Sequence, residues 1–382
     1  MYEFSAPMPF FPKYIDILCI INQETEKSKI KTLYFSLPSN SPDFTGFEQG
    51  RYTWQENAGF DYWKPLIEYS LEKEFNFIYL LNSPKVYNPE HESIDEHLEK
   101  LNSLLQKLKS LGCTKVRVCN PQVMGYLNEN YPEFELYVST SAELHNIKQY
   151  ANMLSMFNNI KEFVPAFDLN KNFKFLKNFK QRYPNIKLEL MVNESCLPGC
   201  PIRNPHNIFS SRITNFKDGR ACFTNNFYLG KCSEIKYRQG AFYLCNANVI
   251  YPWEIEAYSE IGINNFKLIG RNSDRFDNGR YFVSYLLYLK GVDNYKHIAP
   301  HPIRHFLNGN TLEIPVRELR DYLPDIEYFK KNGHLCASSC GAECSYCFKC
   351  AEKVQEVLDK YAAQTADETS GSPEAETPDA AE

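Results

Sequence analysis

Cysteine is the residue type in this chain whose number and spacing most clearly indicate chemistry. Thirteen of the 382 residues are cysteines. Five of them lie from Cys196 to Cys245, and five more lie from Cys336 to Cys350. A chain of this size is not a small secreted domain that needs disulfides for stability, so clustered thiols indicate metal binding. The remaining three stand alone in apolar surroundings: Cys19, Cys113 and Cys119.

The C-terminal group contains C-x3-C-x2-C, ending at Cys347. Radical S-adenosylmethionine enzymes use this spacing for their cluster, but that chemistry needs a barrel after the motif, and too few residues follow Cys350. The repeated C-x2-C spacing up to Cys350 is typical of ferredoxin-type ligation. It favours a 4Fe-4S cluster at this group, in addition to one at the first group described below, with zinc as the alternative. The expected ligands are Cys340, Cys344, Cys347 and Cys350, with Cys336 in reserve.

The first group begins where a strand-like run ends, in NESCLPGCPIRNPH. Pro198 and Gly199 favour a tight loop between the first two cysteines, so that both thiolates can reach one metal or cluster. Four thiolates suit either zinc or an iron–sulfur cluster, and the spacing does not separate the two. This loop follows the end of a predicted strand, where the catalytic rim of a barrel lies, and this position favours an iron–sulfur cluster over structural zinc. The expected ligands are Cys196, Cys200, Cys222 and Cys232, with Cys245 in reserve.

The elements that must position these thiols alternate between β-type runs and helical stretches. The segment IDEHLEKLNSLLQKLKSLG, for example, predicts an amphipathic helix that ends at Gly112. Such alternation predicts a (β/α)8 TIM-like barrel over residues 1–300, with a Cys-rich insert at 195–245; an open doubly wound sheet is the alternative. The predicted strands are DILCII or KTLYFS, then FNFIYLL, TKVRVCN, FELYVST, IKEFVPAFD, IKLELMVNE, AFYLCNA and NNFKLIG.

Reactive side chains in such a barrel lie at the carboxyl ends of the strands. Asp168 and Glu194 stand at two of these ends and are the candidate catalytic residues, as proton carriers. A guanidinium group pairs well with a carboxylate, so cationic residues near strand ends are candidates for binding an anionic substrate. These candidates are Arg203, His206, Lys267 and Arg271.

Two segments together carry a resemblance to a known family. KLELMVNESC with the Cys-rich insert, followed by NVIYPWEIEAYSEIGINNFKLIGR, resembles the collagenase-like peptidase family U32. Lys267, Gly270 and Arg271 match the K-x-x-G-R signature of that family. The resemblance implies a TIM-like barrel and a four-cysteine 4Fe-4S cluster. It also implies oxygen-independent hydroxylation, which the better understood members perform on ubiquinone precursors or RNA bases.

We therefore expect an iron–sulfur enzyme of redox or hydroxylating type, acting on a small-molecule or peptide substrate. A metal-dependent peptidase is one alternative, although the sequence contains no H-E-x-x-H motif. A non-catalytic electron-transfer protein, or a subunit that serves a protein partner, is the other alternative.

Charge and composition limit the partners and the location. Residues 361–382 carry six acids and no Lys or Arg, so the rest of the chain has a formal charge of +1 and not the −5 of the whole. The near-neutral body gives no clear nucleic-acid footprint. The acidic tail (361–382) is expected to be disordered, and residues 301–360 to form a separate Cys-rich extension. The sequence lacks a membrane-length apolar run and a signal-peptide pattern, so we expect a cytoplasmic protein.

Overall fold

The core of the fold is a closed barrel of parallel strands. The computed structural model describes residues 1–9, 11–38, 41–48, 58–84, 94–194, 196–212, 219–246, 248–269, 319–336 and 344–370. Each strand pairs with the next, and β8 pairs with β1, which confirms the predicted (β/α)8 TIM-like barrel. The strands β1–β8 are Tyr2–Pro7, Ser28–Phe35, Asn76–Leu81, Lys115–Val118, Glu135–Val138, Ile160–Phe163, Lys187–Met191 and Asn265–Lys267.

Helices connect successive strands. Among the described residues, one α-helix lies in each connection from β1 to β7, whereas the connection between β7 and β8 contains α7–α10 and therefore the Cys-rich insert. None of the helices in the described part of the chain has the length and apolarity required to cross a membrane. The helices α1–α12 are Pro12–Glu24, Phe60–Glu72, Ile94–Ser110, Pro121–Asn130, Ile147–Met156, Phe173–Arg182, Arg203–Arg212, Gly219–Gln239, Ala241–Asn246, Ile255–Ser259, Ile326–Asn332 and Tyr346–Ser370.

One predicted strand is wrong, and one of the two alternatives for another strand is excluded. DILCII lies inside helix α1, so KTLYFS was the correct alternative and forms most of β2. AFYLCNA is helix α9, because β7 pairs directly with β8 and leaves no place for a strand between them. The eighth place in the ring is taken by the N-terminal residues YEFSAP, which form β1.

The amphipathic helix predicted after the third strand is α3, and its sequence explains its bounds. Its first turn carries acidic side chains and its last turn carries Lys107 and Lys109, which complement the helix dipole. Gly112 follows with a φ of +72°, the left-handed conformation that commonly ends a helix. One leucine face is buried against the barrel: Leu101, Leu104, Leu105 and Leu108.

The C-terminal segment packs on the barrel and shares its hydrophobic core. Phe329 of α11 is buried, and the Lys171 Nζ lies 5.2 Å from the centre of its ring. Gly333 approaches so closely that a Cβ atom there would lie 1.8 Å from the Lys171 carbonyl oxygen, so only glycine fits. Helix α12 continues to Ser370, so the first part of the segment expected to be disordered is helical, whereas residues 371–382 lie outside the described residues.

A layer of charged side chains fills part of the barrel interior: Arg117, Glu162, Glu189 and Lys267. Arg117 is fully buried and donates from Nη2 to Glu162 Oε1 at 2.8 Å and from Nη1 to Glu189. Lys267 Nζ lies 4.3 Å from the centre of the Tyr34 ring and within electrostatic range of both carboxyls. The formal charges of this charged layer cancel, which is how buried charges are tolerated.

The two carboxyls of the charged layer have opposite pKa shifts. Burial and the neighbouring Glu189 carboxylate raise the pKa of Glu162. Burial also acts to raise the pKa of Glu189, but Arg117 and Lys267 outweigh it and lower that pKa below its ordinary value. Arg117 is therefore the cation on which the ionised carboxylate depends.

Replacement of Arg117 by Ala is expected to cost about 3–5 kcal/mol of unfolding free energy, because it leaves two carboxyls buried without their cation. Urea denaturation of wild type and variant measures this difference. As the matched control, the combined change Arg117→Met, Glu162→Gln, Glu189→Gln and Lys267→Met removes all four charges of the layer and should be less destabilising than Arg117→Ala. A loss below about 1 kcal/mol in Arg117→Ala would contradict the role given to this layer.

Glu48 is a second buried carboxyl, in the segment after β2. Its Oε2 accepts from the Thr45 backbone N at 3.1 Å and from the Thr45 hydroxyl at 2.6 Å. The Tyr79 hydroxyl of β3 donates to its Oε1 at 2.8 Å. Burial raises the pKa of Glu48 to about 7, although these hydrogen bonds act in the opposite direction.

The raised pKa of Glu48 has a consequence for stability, because folded Glu48 holds its proton more tightly than an unfolded Glu with a pKa of 4.5. Its contribution is complete below about pH 4.5 and is lost as the pH rises to about 7, by about 3 kcal/mol in all. Glu48→Gln should lack this dependence. The measurement is the difference in unfolding free energy between wild type and Glu48→Gln at about pH 5 and about pH 8. A difference that stays constant across that range would refute the assignment.

Candidate active site at the barrel mouth

The candidate site lies where the chain leaves β7 at the carboxyl mouth of the barrel. Just beyond β7, the Val192 backbone N still donates to the Lys267 carbonyl at 3.0 Å. The Asn193 side chain then pairs with the backbone of Ile269 in both directions, donating at 2.9 Å and accepting at 2.8 Å. These bonds fix the point from which the loop that carries Cys196 begins.

Cys196 packs on a small apolar layer at the mouth, formed by Val164, Phe167, Met191 and Ile269. Three of these four residues stand two positions after a member of the charged layer. Because alternate residues of a strand share a face, the apolar layer lies about 6.6 Å, one two-residue step, above the charged layer. The apolar layer therefore separates the Cys196 thiol from the barrel interior.

The Cys196 thiol is in an environment of mixed charge. Burial and Glu194 raise its pKa, whereas Arg203 and Lys236 act in the opposite direction and Cys232 adds to the increase. Cys232 and Lys236 are one turn apart on α8, so this helix brings both a thiol and a cation towards Cys196. A thiol with a raised pKa is a poor nucleophile, but it loses its proton when it binds a metal.

Arg203, a predicted anion-binding residue, is at this site and is largely paired. Its side chain is 11% exposed, and its Nε donates to Glu143 Oε1 at 3.1 Å. Its Nη2 lies 3.8 Å from Glu194 Oε2, and its guanidinium carbon lies 5.5 Å from the centre of the Phe167 ring. Its Nη1 is buried and has no hydrogen-bond partner among the described residues. One donor of a buried cation therefore remains for an acceptor beside Cys196.

Asp168, a predicted catalytic residue, holds the thiol loop in place. Its Oδ1 accepts from the Gly199 backbone N at 3.1 Å and from Asn248 Nδ2 at 3.1 Å. Gly199 has a φ of +62°, as the predicted tight turn between Cys196 and Cys200 requires. In this arrangement Asp168 is a positioning residue that ties the loop to the rim.

Glu194, the other predicted proton carrier, is adjacent to the thiol. Its Oε1 accepts from the Cys196 backbone N at 3.1 Å, and its Oε2 lies on the side of Arg203. The carboxylate is therefore placed between the thiol loop and the buried cation.

Two residues of the site are absent from the sequence prediction. Glu143 accepts from Arg203, and its φ of 51° places it in the left-handed region, which non-glycine residues seldom occupy. His145 Nε2 lies 3.3 Å from Glu143 Oε2, and this hydrogen bond raises the pKa of His145. The sequence contains one indication that these two residues belong to the site: the predicted strand FELYVST ends shortly before them.

The remaining predicted anion-binding residues lie elsewhere. His206 of α7 stacks on Tyr228 of α8, with ring centres 5.1 Å apart. Lys267 is inside the barrel as part of the charged layer and not at the rim. Arg271 lies outside the described residues.

Helix α8 carries Cys232, whose thiol lies within electrostatic range of Cys196. The side chain of Cys222, another expected ligand, lies outside the described residues. Cys196, Cys200 and Cys232 remain at the mouth. Within the described part of the chain, no three His, Cys, Asp or Glu side chains are grouped closely enough to hold a metal ion.

Cys245 and Cys336, the two cysteines that were expected as reserve ligands, both lie near the C-terminal thiols. Cys245 of α9 lies within electrostatic range of Cys347 and Cys350 of α12. Cys336 lines a small cavity together with Cys344 and Cys347. Cys340, an expected ligand, lies outside the described residues.

A comparison with protein-family profiles identifies the family of this chain. A profile of peptidase family U32 matches residues 90–296, more than half of the chain. The chain belongs to peptidase family U32.

A relative of similar length is known, and two solved structures show weaker similarity. An uncharacterized protease of Methanocaldococcus jannaschii is 22% identical over 370 residues, which are 94% of this chain and 99% of that protein. The structure of the U32 peptidase Mk0906 is similar with a TM-score of 0.45 and 10% identity, over 72% of this chain and 95% of the other. A spore coat polysaccharide biosynthesis protein from Bacillus subtilis has a TM-score of 0.38 and 9% identity, over 84% and 77% of the two chains.

The positioning role of Asp168 predicts different results for two substitutions. Asp168→Ala removes both acceptor bonds and should cost about 1–3 kcal/mol locally, so amide hydrogen exchange at residues 196–200 should be faster. Asp168→Asn keeps an oxygen that can accept both bonds and should leave the exchange near that of wild type. Equal exchange in wild type and Asp168→Ala would show that the carboxylate does not hold the loop.

Proposed function

We propose that this chain is an iron–sulfur enzyme of family U32 that performs a redox modification, such as an oxygen-independent hydroxylation, on an anionic substrate. The observation that carries the proposal is the buried Nη1 donor of Arg203, unpaired among the described residues, beside the Cys196 thiol at the barrel mouth. A buried cationic donor of this kind suits a cluster sulfur or an anionic ligand group.

The residues at the mouth fit a 4Fe-4S cluster in their chemistry. Cys196, Cys200 and Cys232 would hold it, with Cys222 as the fourth expected ligand. Arg203 and Lys236 would balance the negative charge of the thiolates. Such a cluster supplies one-electron transfer when it is bound.

The side chains around the thiols would bind the substrate and move protons. Arg203 would orient a carboxylate or phosphate through Nη1 while Glu143 holds its Nε. Glu194 and His145 are the titratable groups placed to exchange a proton, and the raised pKa of His145 favours its protonated form near neutral pH. The apolar layer beneath would exclude water from the side of the reacting groups that faces the barrel interior.

A peptidase is the second candidate, because the matching family and the relative from Methanocaldococcus jannaschii are described as a peptidase and a protease. A cysteine mechanism would require an activated thiolate, whereas burial raises the pKa of Cys196. A metal-dependent mechanism would require an open metal site with a bound water. The surroundings of Cys196 favour the iron–sulfur enzyme over these two peptidase mechanisms. The non-catalytic alternative is electron transfer within a larger assembly. It would require the same thiols but would not require the Arg203 donor for binding a substrate.

Metal analysis of anaerobically purified protein tests this proposal. Wild type should contain iron and acid-labile sulfide and should absorb broadly in the visible range. Cys196→Ser and Cys232→Ser should each lose most of the iron, because each removes a thiolate from the mouth. Cys19→Ser is the matched control, since Cys19 is half-buried on α1 away from both thiol groups, and it should keep the iron.

Arg203 provides the second arm of the same test. Arg203→Gln should keep the iron but weaken the binding of small carboxylates or phosphates by about tenfold or more, because a charged hydrogen bond is lost. Wild type without iron or sulfide, or full iron content in Cys196→Ser, would rule out a cluster at the mouth.

A further inference from the structure

Helix α1 and the residue before it carry a group of apolar side chains on their outer surface. Four large apolar residues within ten positions are exposed: Phe11, Tyr14, Ile17 and Ile20. Single exposed apolar side chains are common on soluble proteins and need no explanation. A contiguous group on one element is different, because such patches are typical of contact surfaces.

The side of α1 that packs on the barrel is separate from this apolar group. Ile15 and Leu18 are buried against the core. Asp16 faces α2, where its Oδ1 accepts from the Tyr69 hydroxyl at 2.6 Å. At 3.6 residues per turn, the two exposed isoleucines lie on the opposite side of the helix from the buried pair. The packing of α1 on the barrel therefore does not use them.

A line of residues along this outer side has a charged residue at each end. Lys13, Ile17, Ile20 and Glu24 follow one another at spacings of four, three and four residues, which aligns them on one face of the helix. Lys13 and Glu24 are also exposed. We call these four residues the α1 stripe. Its spacing is the same when it is read from either end, whereas the charge at one end is opposite to the charge at the other.

The α1 stripe is complementary to itself when two copies pair in antiparallel orientation. A two-fold axis through its centre places Ile17 of one copy opposite Ile20 of the other, and Lys13 opposite Glu24. Each charge then meets its opposite, with the isoleucines between the two ion pairs. In a parallel pair each end charge would face the same charge on the other copy, which is unfavourable. The order of residue types therefore favours the antiparallel arrangement.

We propose that the α1 stripe is the contact surface of a homodimer, in which two α1 helices pack antiparallel about a two-fold axis. Tyr62 of α2 would extend the contact, because it is exposed and lies two turns before Tyr69, which reaches Asp16 of α1. A helix of 13 residues is about 20 Å long and about 10 Å wide, so the contact is smaller than the roughly 800 Å² per partner of a standard interface. We therefore expect a weak dimer.

A membrane surface suits the same stripe less well than a second copy does. Interfacial helices that bind anionic lipids carry several Lys or Arg residues on their polar face. Helix α1 contains one cation, Lys13, and two acids, Asp16 and Glu24. Anionic headgroups would therefore repel the helix, whereas a second copy supplies an opposite charge at each end of the stripe.

The dimer would leave both barrel mouths open. Helix α1 follows β1 and, as in any barrel of this kind, runs back along the outside of the barrel towards the other end. Two antiparallel α1 helices would therefore join barrels whose mouths open on opposite sides. The inference does not rest on the proposed redox function, since the α1 stripe contains none of the residues at the mouth.

Sedimentation equilibrium of the full-length protein tests the inference. Over about 1–100 μM, wild type should shift from the mass of one chain, 44.5 kDa, towards twice that mass. Ile20→Lys places a charge at the apolar centre and should weaken the dimer by about tenfold or more. Met156→Lys is the matched control, because Met156 on α5 is 59% exposed and Ile20 is 56% exposed. It should leave the association unchanged, and both variants should unfold at the temperature of wild type.

Exchange of the end charges tests the antiparallel register. Lys13→Glu and Glu24→Lys should each weaken the dimer by roughly threefold to tenfold, because each sets like charges against each other at both ends of the stripe. The double change restores opposite charges across the axis and should return the affinity close to that of wild type. Neither change should harm the fold, because an acid near the start of a helix and a base near its end both complement the dipole.

Three results would overturn the inference. The first is a monomer at all concentrations up to about 100 μM. The second is a dimer that Ile20→Lys does not weaken, and the third is a double charge exchange that associates no better than the single changes. Binding of monomeric wild type, but not of Ile20→Lys, to vesicles of phosphatidylcholine and phosphatidylserine would assign the stripe to a membrane surface instead.

Discussion

The ion pairs of Arg117 with Glu162 and Glu189 inside the closed barrel are the interaction on which the rest of this structure depends. They join β4, β6 and β7 across the interior, where all three side chains are buried and each charge depends on its partner. β7 is also the strand from which the thiol loop departs. The charged layer thus fixes the strand ends that determine where Cys196 lies.

Above this layer the chemistry changes within a short distance. An apolar layer separates the interior charges from Cys196, and the Arg203 guanidinium stands beside the thiol with Glu143 and Glu194 as its acceptors. Asp168 ties the same loop to Asn248, which follows α9 in the β7–β8 connection, through its carboxylate. The mouth therefore combines thiols, a buried cation and proton-exchanging groups, which is the combination that an anionic redox substrate would need.

Much of the fold could be predicted from the sequence, because most strands and helices have a clear period. The leucine spacing of α3 and the apolar runs of β3 to β7 identify these elements directly. AFYLCNA was predicted as a strand because its short apolar run fits either element, and only the β7–β8 pairing shows that it is a helix. The strand β1 contains Ser5 and Pro7, which are unfavourable in strands, so its sequence carried little signal.

The site was predictable only in part, for physical reasons that differ between residues. The tight turn from Cys196 to Cys200 follows from local sequence, since Pro and Gly determine it. The interior position of Lys267 depends on the carboxyls of β6 and β7, which are distant in sequence. The proximity of Cys245 to Cys347 and Cys350 likewise arises from the packing of α9 on α12, and no local pattern records it.

The central proposal is that the thiols at the barrel mouth hold an iron–sulfur cluster. X-ray absorption at the iron and zinc edges of one anaerobic wild-type sample tests it most directly. The account predicts iron with sulfur ligands and neighbouring iron atoms. Zinc alone at full occupancy, or iron bound only by nitrogen and oxygen, would contradict it.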